Sequence, residues 1–316
     1  MSLIEKAAKR LEQLRQAGVE LPEDKPATEI LERVSPEKST GRASAPPQSP
    51  HPDISITVHA EPTSAQVSTK RITLDLDAMA ASGLLVPNQS RSLLANEFRV
   101  IKRPLIANAM GKGSNPIQNG NLIMVTSALP GEGKSFTAVN LAVSIAMELD
   151  NTVMLVDADV ARPSILTMLG LPPAEGLLDV VDKDSLDISE VLLHTNIEKL
   201  SILPSGTAHP RATELLASEA MIRLLDDVSK RYPDRIIVFD SPPLLLTTEA
   251  RALATHMGQI VIVVQSGATT QAAVREAIST IESCPLKMMV LNQATQSASD
   301  RYGYGYAYGY GYGNEK

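Results

Sequence analysis

From Asn121 onward the chain alternates between two hydrophobic patterns. Six short runs are almost continuously apolar: Leu122 to Thr126, Val153 to Asp157, Leu200 to Leu203, Arg235 to Asp240, Gln259 to Gln265 and Lys287 to Asn292. Runs of this length predict strands covered on both faces, as in a parallel sheet. The intervals between them predict helices over Lys134 to Leu149, Thr213 to Lys230, Thr248 to His256 and Thr270 to Ser283. Repeated alternation of this kind predicts an α/β fold, an open and mostly parallel sheet with helices on both faces. Ligands of such sheets bind at the carboxyl ends of the strands.

Upstream the pattern changes. Ile4, Ala7, Leu11 and Leu14 recur at helical spacing among charged residues, which predicts a short amphipathic helix within residues 1–19. That stripe is too short to stand alone, so it reads as a docking helix for a partner. Residues 20–89 are mostly rich in Pro, Ser, Thr, Glu and Ala and read as a disordered linker, with an ordered patch over 71–85. A helix from about Ser90 to Ile106 carries Leu94, Phe98, Ile101 and Leu105 on one side. The compact domain is assigned to residues 90–300 and a flexible tail to 301–316.

Composition narrows the class. The 316 residues are 43% hydrophobic, with no Trp and three Phe, so the core must be aliphatic. A net charge of −7 and a pI near 5.4 argue against nucleic acid as a partner. The single cysteine, Cys284, excludes an internal disulfide and a multi-cysteine metal site, and its apolar setting before Pro285 suits a buried structural thiol. No apolar run reaches the roughly 18 to 20 residues that span a bilayer. The charged N-terminus does not resemble a secretory signal. The expectation is a cytoplasmic protein that reaches the membrane through a partner.

The chemistry begins where the first strand ends. Ser127-Ala128-Leu129-Pro130-Gly131-Glu132-Gly133-Lys134-Ser135 is a phosphate-binding loop of the P-loop NTPase type, with Ala128 at the usual first glycine. Its glycines let backbone N–H groups turn toward phosphate oxygens, and the helix N-terminus adds a favourable dipole. Gly131, Glu132, Gly133, Lys134, Ser135 and Phe136 form the nucleotide-binding stretch. Lys134 is placed to bridge the β- and γ-phosphates of ATP, and the Ser135 hydroxyl to ligate Mg²⁺.

Two carboxylates, Asp157 and Asp159, close the second strand, followed by Arg162. Mg²⁺ between them and the phosphates would relieve their repulsion; a helix cap or an ion pair with Arg162 is the plainer alternative. An Asp here can also take a proton from an incoming hydroxyl. Asp240 closes a further apolar strand, the second metal-side element of such NTPases. Asn292 closes the last strand. Its amide can pair with an adenine edge, or simply cap a turn.

The chain ends in YGYGYAYGYGYGNEK. Six of its seven tyrosines stand there, Tyr302, Tyr304, Tyr306, Tyr308, Tyr310 and Tyr312, separated by Gly or Ala. Such a segment can be self-associating, or a strand with every phenol on one face. Beside a nucleotide site, it can also be a set of phosphate acceptors.

In order along the chain, GEGKS, VDADVARP, LPSGTAHPRATELL (Leu203 to Leu216), FDSPP and VLN resemble the bacterial tyrosine kinases that regulate exopolysaccharide polymerisation and export. The match runs from about residue 92 to the C-terminus. ParA and MinD ATPases share the branch but carry an extra lysine early in the loop, where this chain has Leu129. The resemblance implies ATP-dependent autophosphorylation of the tyrosine cluster, in trans, with Asp157 as base and Lys134 on the phosphates. Asp159 and Asp240 would support the metal and transition state, with Ser135 and Asp157 on Mg²⁺, and Asn292 would contact adenine.

It further implies a membrane chain-length partner whose cytoplasmic segment activates the kinase, a homo-oligomer and a cognate tyrosine phosphatase. SLIEKAAKRLEQLRQAG, with EFRVIKRPLIANA, is similar to the exosortase-associated soluble autokinases. The alternative reading is a ParA- or MinD-like nucleotide-switched scaffold. One departure stands out. The family's ring-forming Glu-x-x-Arg-x-x-Arg helix reads here as Asn96, Arg99 and Lys102, with Glu97 one step from the glutamate position.

Overall fold

The computed structural model describes residues 70–113, 116–183, 185–231 and 234–294. The expected N-terminal helix, the segment up to residue 69 and the tyrosine tail lie outside them. In chain order the strands are β1 (Lys70–Arg71), β2 (Leu122–Ser127), β3 (Thr152–Asp157), β4 (Leu193–His194), β5 (Leu200–Leu203), β6 (Arg235–Asp240), β7 (Gln259–Gln265) and β8 (Leu286–Asn292). The helices are α1 (Leu76–Ala81), α2 (Leu93–Ala109), α3 (Lys134–Ala146), α4 (Ile165–Met168), α5 (Leu177–Asp182) and α6 (Ile188–Val191). They continue with α7 (Ala212–Leu216), α8 (Glu219–Arg231), α9 (Thr248–Ala254) and α10 (Gln271–Ser279).

Eight strands form one sheet in the order β1-β4-β5-β3-β6-β2-β7-β8, parallel except where β4 meets β5. All six predicted strands are present, within one residue of their expected limits. Their apolar runs are continuous because both faces are covered. On one face Met124, Met154, Ile237 and Ile262 pack under α5, α8, α9 and α10. On the other, Ile123, Val125, Leu155 and Val238 pack under α2 and α3. Helix α3 is buried at every position from Thr137 to Ala146, as expected of a helix apolar all round and enclosed in the core.

Two differences from the sequence reading are informative. Residues 70–89, assigned mostly to a linker, belong to the body: Leu74, Met79, Leu84, Leu85 and Val86 are buried in the α2/α3 layer. The Leu85 N–H donates to Asn140 Oδ1 of α3 at 2.6 Å. The helix expected over Thr213 to Lys230 is two helices, α7 and α8. The ordered patch over 71–85 is present as β1 and α1.

Chain order explains where a ligand can sit. After β2 the chain crosses through α3 to β3, on one side of β2. After β6 it crosses to β7, on the other side. The loop following β2 therefore stands at the point where the winding direction changes, and β6 lies between β2 and β3. Register sets the strand tips level: Asp157 pairs with Asp240, and Asp240 with Val125. Among the described residues no helix is long and apolar enough to cross a membrane.

Candidate functional site

The phosphate loop leaves β2 and closes on α3. Gly131 and Gly133 hold φ of +84° and +91°, a left-handed backbone that strains any other residue. At Gly133 there is a second reason for glycine. A Cβ there would lie 2.1 Å from Asn292 Nδ2, which donates to the Glu132 carbonyl at 2.9 Å. Asn292 at the tip of β8 thus touches the loop backbone directly, and Gln293 Nε2 donates to the Gly131 carbonyl at 3.3 Å.

Glu132 was assigned to nucleotide binding, and the structure turns its side chain inward. The residue is 1% exposed. Oε2 accepts from the Leu129 N–H at 2.6 Å, and Oε1 accepts from the Gln265 N–H at 3.4 Å and from the Thr269 hydroxyl. One carboxylate therefore ties both ends of the loop's curl to the loop after β7. The motif alone could not show this, because the partners come from the far side of the sheet. Leu129, where the ParA branch has lysine, is partly exposed.

Lys134 lies among the strand-tip carboxylates. Its Nζ is 2.7 Å from Asp159 Oδ2 and 3.5 Å from Asp240 Oδ1. Burial works against its charge, but the Asp240 and Asp159 carboxylates outweigh that and hold its pKa above the usual lysine value. Asp159 is fully used: Oδ1 accepts the Arg162 N–H at 3.1 Å. The Arg162 side chain is exposed, so the ion pair weighed from sequence is replaced by this backbone contact.

Asp157 and Asp240 are both fully buried. Asp157 Oδ2 accepts the N–H groups of Ser164 (3.1 Å) and Ile165 (3.0 Å) at the start of α4. Its Oδ1, Asp240 Oδ2 and the Ser241 hydroxyl are buried with no hydrogen-bond partner, and Asp240 Oδ1 faces the Lys134 ammonium at 3.5 Å. Burial first, then the neighbouring Asp240 charge, pushes the Asp157 carboxyl up to about 7 against the two backbone donors. Burial likewise raises Asp240 to about 6, although Lys134 pulls it down.

Orphaned carboxylate oxygens in a buried strand-tip niche fit a hard divalent cation, which accepts oxygen ligands and retains waters and phosphate oxygens. The Ser135 hydroxyl is nearby, 3.2 Å from Lys134 Nζ and 2.9 Å from Ser164 Oγ. Among the described residues no three His, Cys, Asp or Glu side chains form a metal cage of their own. The donor set therefore suits Mg²⁺ completed by a nucleotide. Phe136 is half-buried at the first turn of α3, packed against the α2/α3 layer.

The structure brings Gly131, Gly133, Lys134, Ser135, Asp157, Asp159, Asp240 and Asn292 to one end of the sheet. A cavity of about 770 Å³ lies at the other end, lined by Asn108, Gln118, His256 and Ser283 among others. It lacks the convergent charges of the loop end. In α2, Arg99 donates to Asn96 Oδ1 at 2.6 Å and to the Ser90 carbonyl at 3.0 Å. Lys102 is 4% exposed and pairs with Glu148 at 2.7 Å and the Ser144 carbonyl of α3.

A family model described as an AAA domain matches residues 120–294. Tyrosine-protein kinase YwqD of Bacillus subtilis is 30% identical over 222 residues, covering 70% of this chain and 90% of that protein. Tyrosine-protein kinase wzc of Salmonella typhimurium is 29% identical over 181 residues, 57% of this chain but 25% of that longer protein. Among solved structures, the chimerical protein CapA2B2 superposes with a TM-score of 0.57 at 28% identity, covering 70% of this chain and 99% of that one. The kinase domain of Escherichia coli tyrosine kinase ETK gives 0.53 at 27% identity, covering 62% and 75%.

Proposed function

Since this chain belongs to the bacterial tyrosine-protein kinases of the AAA-domain P-loop class, we propose that it transfers the γ-phosphate of ATP to tyrosine, its own tail included. The observation that carries the reading is the buried Asp157 Oδ1, unpartnered and on a carboxyl raised to about 7, beside Asp240 and within the Lys134 cluster. A phenol is mostly protonated at neutral pH, so a base titrating near 7 is well matched to it.

In the proposed reaction the phenol oxygen bonds to the γ-phosphorus, and its proton passes to Asp157 Oδ1. The bond from the γ-phosphorus to the β–γ bridging oxygen breaks, and ADP leaves. Lys134 exchanges Asp159 for the β- and γ-phosphates, and the loop N–H groups hold the phosphate oxygens. Ser135 and Asp240 would hold Mg²⁺ directly, and Asp157 would reach it through water, which keeps its Oδ1 basic. When bound, the ion neutralises charge building on the phosphates. Most of the acceleration comes from this positioning and charge compensation. Asn292 lies against the loop and would turn its amide to adenine when nucleotide binds.

The acceptors are Tyr302 to Tyr312, presented to a neighbouring copy. Each phosphate adds about −1.5 to −2 charges, which would drive the tail from an acidic rim and loosen the assembly. The process served is exopolysaccharide polymerisation and export, at the inner face of the membrane. Recruitment runs through a membrane chain-length protein whose cytoplasmic segment activates the kinase, with a tyrosine phosphatase resetting the cycle. The N-terminal segment and the Glu97 to Ala109 stretch support placement among the exosortase-associated soluble autokinases.

Mass spectrometry after incubation with Mg-ATP tests this, with and without the partner's cytoplasmic fragment. Phosphate on the tail tyrosines, absent from Lys134→Met, is the expected result. ATP turnover without phosphotyrosine in either condition would replace the kinase with a nucleotide-switched scaffold.

A further inference from the structure

The two edges of the sheet are unlike. One is closed by β1, two residues long. The other is β8, seven residues long and, among the described residues, bounded by no further strand. Natural edges of that length are usually blunted by prolines, bulges or charges. Here β8 has no proline and one charge, Lys287. Met289 and Leu291 on its outward-turned face are each 63% exposed, while Met288 and Val290 pack against the core.

Register identifies the open backbone groups. The Ser266 N–H donates to the Asn292 carbonyl at 2.9 Å, so Asn292 directs its backbone toward β7. Direction alternates along a strand. Val290 and Met288 therefore also face β7, and Leu291, Met289 and Lys287 direct their N–H and C=O groups out of the sheet.

We infer that this edge is the docking site of the chain's own C-terminal tail, which adds to β8 as an antiparallel strand. Three observations support that occupant. First, the tail starts where the edge ends. Gln293 adopts a positive φ of 56°, turning the chain off the strand, and residues 295–316 follow. Second, residues 293–301 exceed the two to five that a hairpin needs, so Tyr302 can reach the tip of β8. Tyr302 to Tyr308 then match the seven residues of β8 at about 23 Å. Third, the Tyr-Gly alternation has the period of a strand. It puts every phenol on one face, over Met289 and Leu291, and only Gly or Ala on the other.

Docked, Tyr302 to Tyr308 lie along β8 instead of reaching a neighbour's phosphate loop. That consequence rests on the kinase reading; the docking does not. Phosphates on alternate residues of one strand face would repel one another, so a phosphorylated tail leaves the edge.

Residue-resolved amide exchange on the unphosphorylated full chain, without nucleotide, tests the docking. The reference is a full-length variant with Tyr302, Tyr304, Tyr306, Tyr308, Tyr310 and Tyr312 changed to Ser. The Met289 and Leu291 amides are expected to exchange at least about tenfold more slowly in the parent than in the variant. Met288 and Val290, bonded to β7, serve as unchanged internal controls. Met289→Lys, at an exposed position, is expected to speed exchange at Leu291 in the parent background. Equal exchange at Met289 and Leu291 in parent and tyrosine variant overturns the inference. Protection that rises with protein concentration overturns it in favour of a second copy on the edge. Neither outcome depends on catalysis, so a failed kinase test leaves this result intact.

Discussion

Replacing the proposed base should strengthen the empty protein while disabling it. In Asp157→Asn the amide oxygen can still accept the Ser164 and Ile165 N–H groups now held by Oδ2. The amide nitrogen takes the place of Oδ1, which is buried without a partner, and can donate toward Asp240. Burial and Asp240 raise the Asp157 carboxyl from 3.8 to about 7. A raised acid favours the folded state when protonated. Its contribution is complete below about pH 4 and is lost as pH rises through about 7.

Three units correspond to on the order of 4 kcal/mol by pH 8. Desolvating the new amide offsets part of this, leaving a gain of about 2 kcal/mol. For a domain of this size that is a rise of roughly 4–8 °C in Tm at pH 8; at pH 5 the carboxyl penalty is under about 2 kcal/mol, the amide cost is unchanged, and the gain disappears. Tyrosine phosphorylation should fall by about 10² to 10⁴. Thermal unfolding of the nucleotide-free protein in chelator, at both pH values, measures the first effect. A variant less stable than the parent at pH 8, or a gap independent of pH, would refute the account of this niche.

Gly133→Ala should abolish nucleotide binding while leaving a folded protein, because the added Cβ meets Asn292 in a left-handed turn; nucleotide titration calorimetry checks it. Glu132→Gln leaves one acceptor where the carboxylate now serves three donors. Loop curvature loosens, and KM for ATP should rise about tenfold with a smaller fall in kcat, at a stability cost of about 1–3 kcal/mol. Lys102→Met should lower stability by about 1–3 kcal/mol, by stripping the Ser144 carbonyl and Glu148 of their partner. Native mass spectrometry should show its oligomeric mass unchanged, because this lysine serves its own protomer.

Much of the architecture was legible because it is written locally. A strand covered on both faces must be apolar at consecutive positions, so β2, β3, β5, β6, β7 and β8 show in the chain as uninterrupted runs. The phosphate loop is legible for the same reason: glycines, lysine and serine must be covalent neighbours to wrap one phosphate group. The short β1 and β4, and the α7/α8 break, carry too few residues to show a period. The inward turn of Lys102 was hidden as well, since a lysine on a helix reads as solvated until its neighbour is known.

The chemistry of the site is another matter. The sequence places three aspartates at strand tips, but covalent order does not say which of them meets Lys134. Insertion of β6 between β2 and β3 brings Asp240 level with Asp157, and the start of α4 takes one Asp157 oxygen while leaving the other bare. Asp159 takes the lysine, Glu132 folds inward beneath the loop, and Asn292 arrives from the far strand to touch it. These contacts join residues distant in the chain. They depend on strand order and register, which follow from packing both sheet faces at once, and only the folded structure decides them.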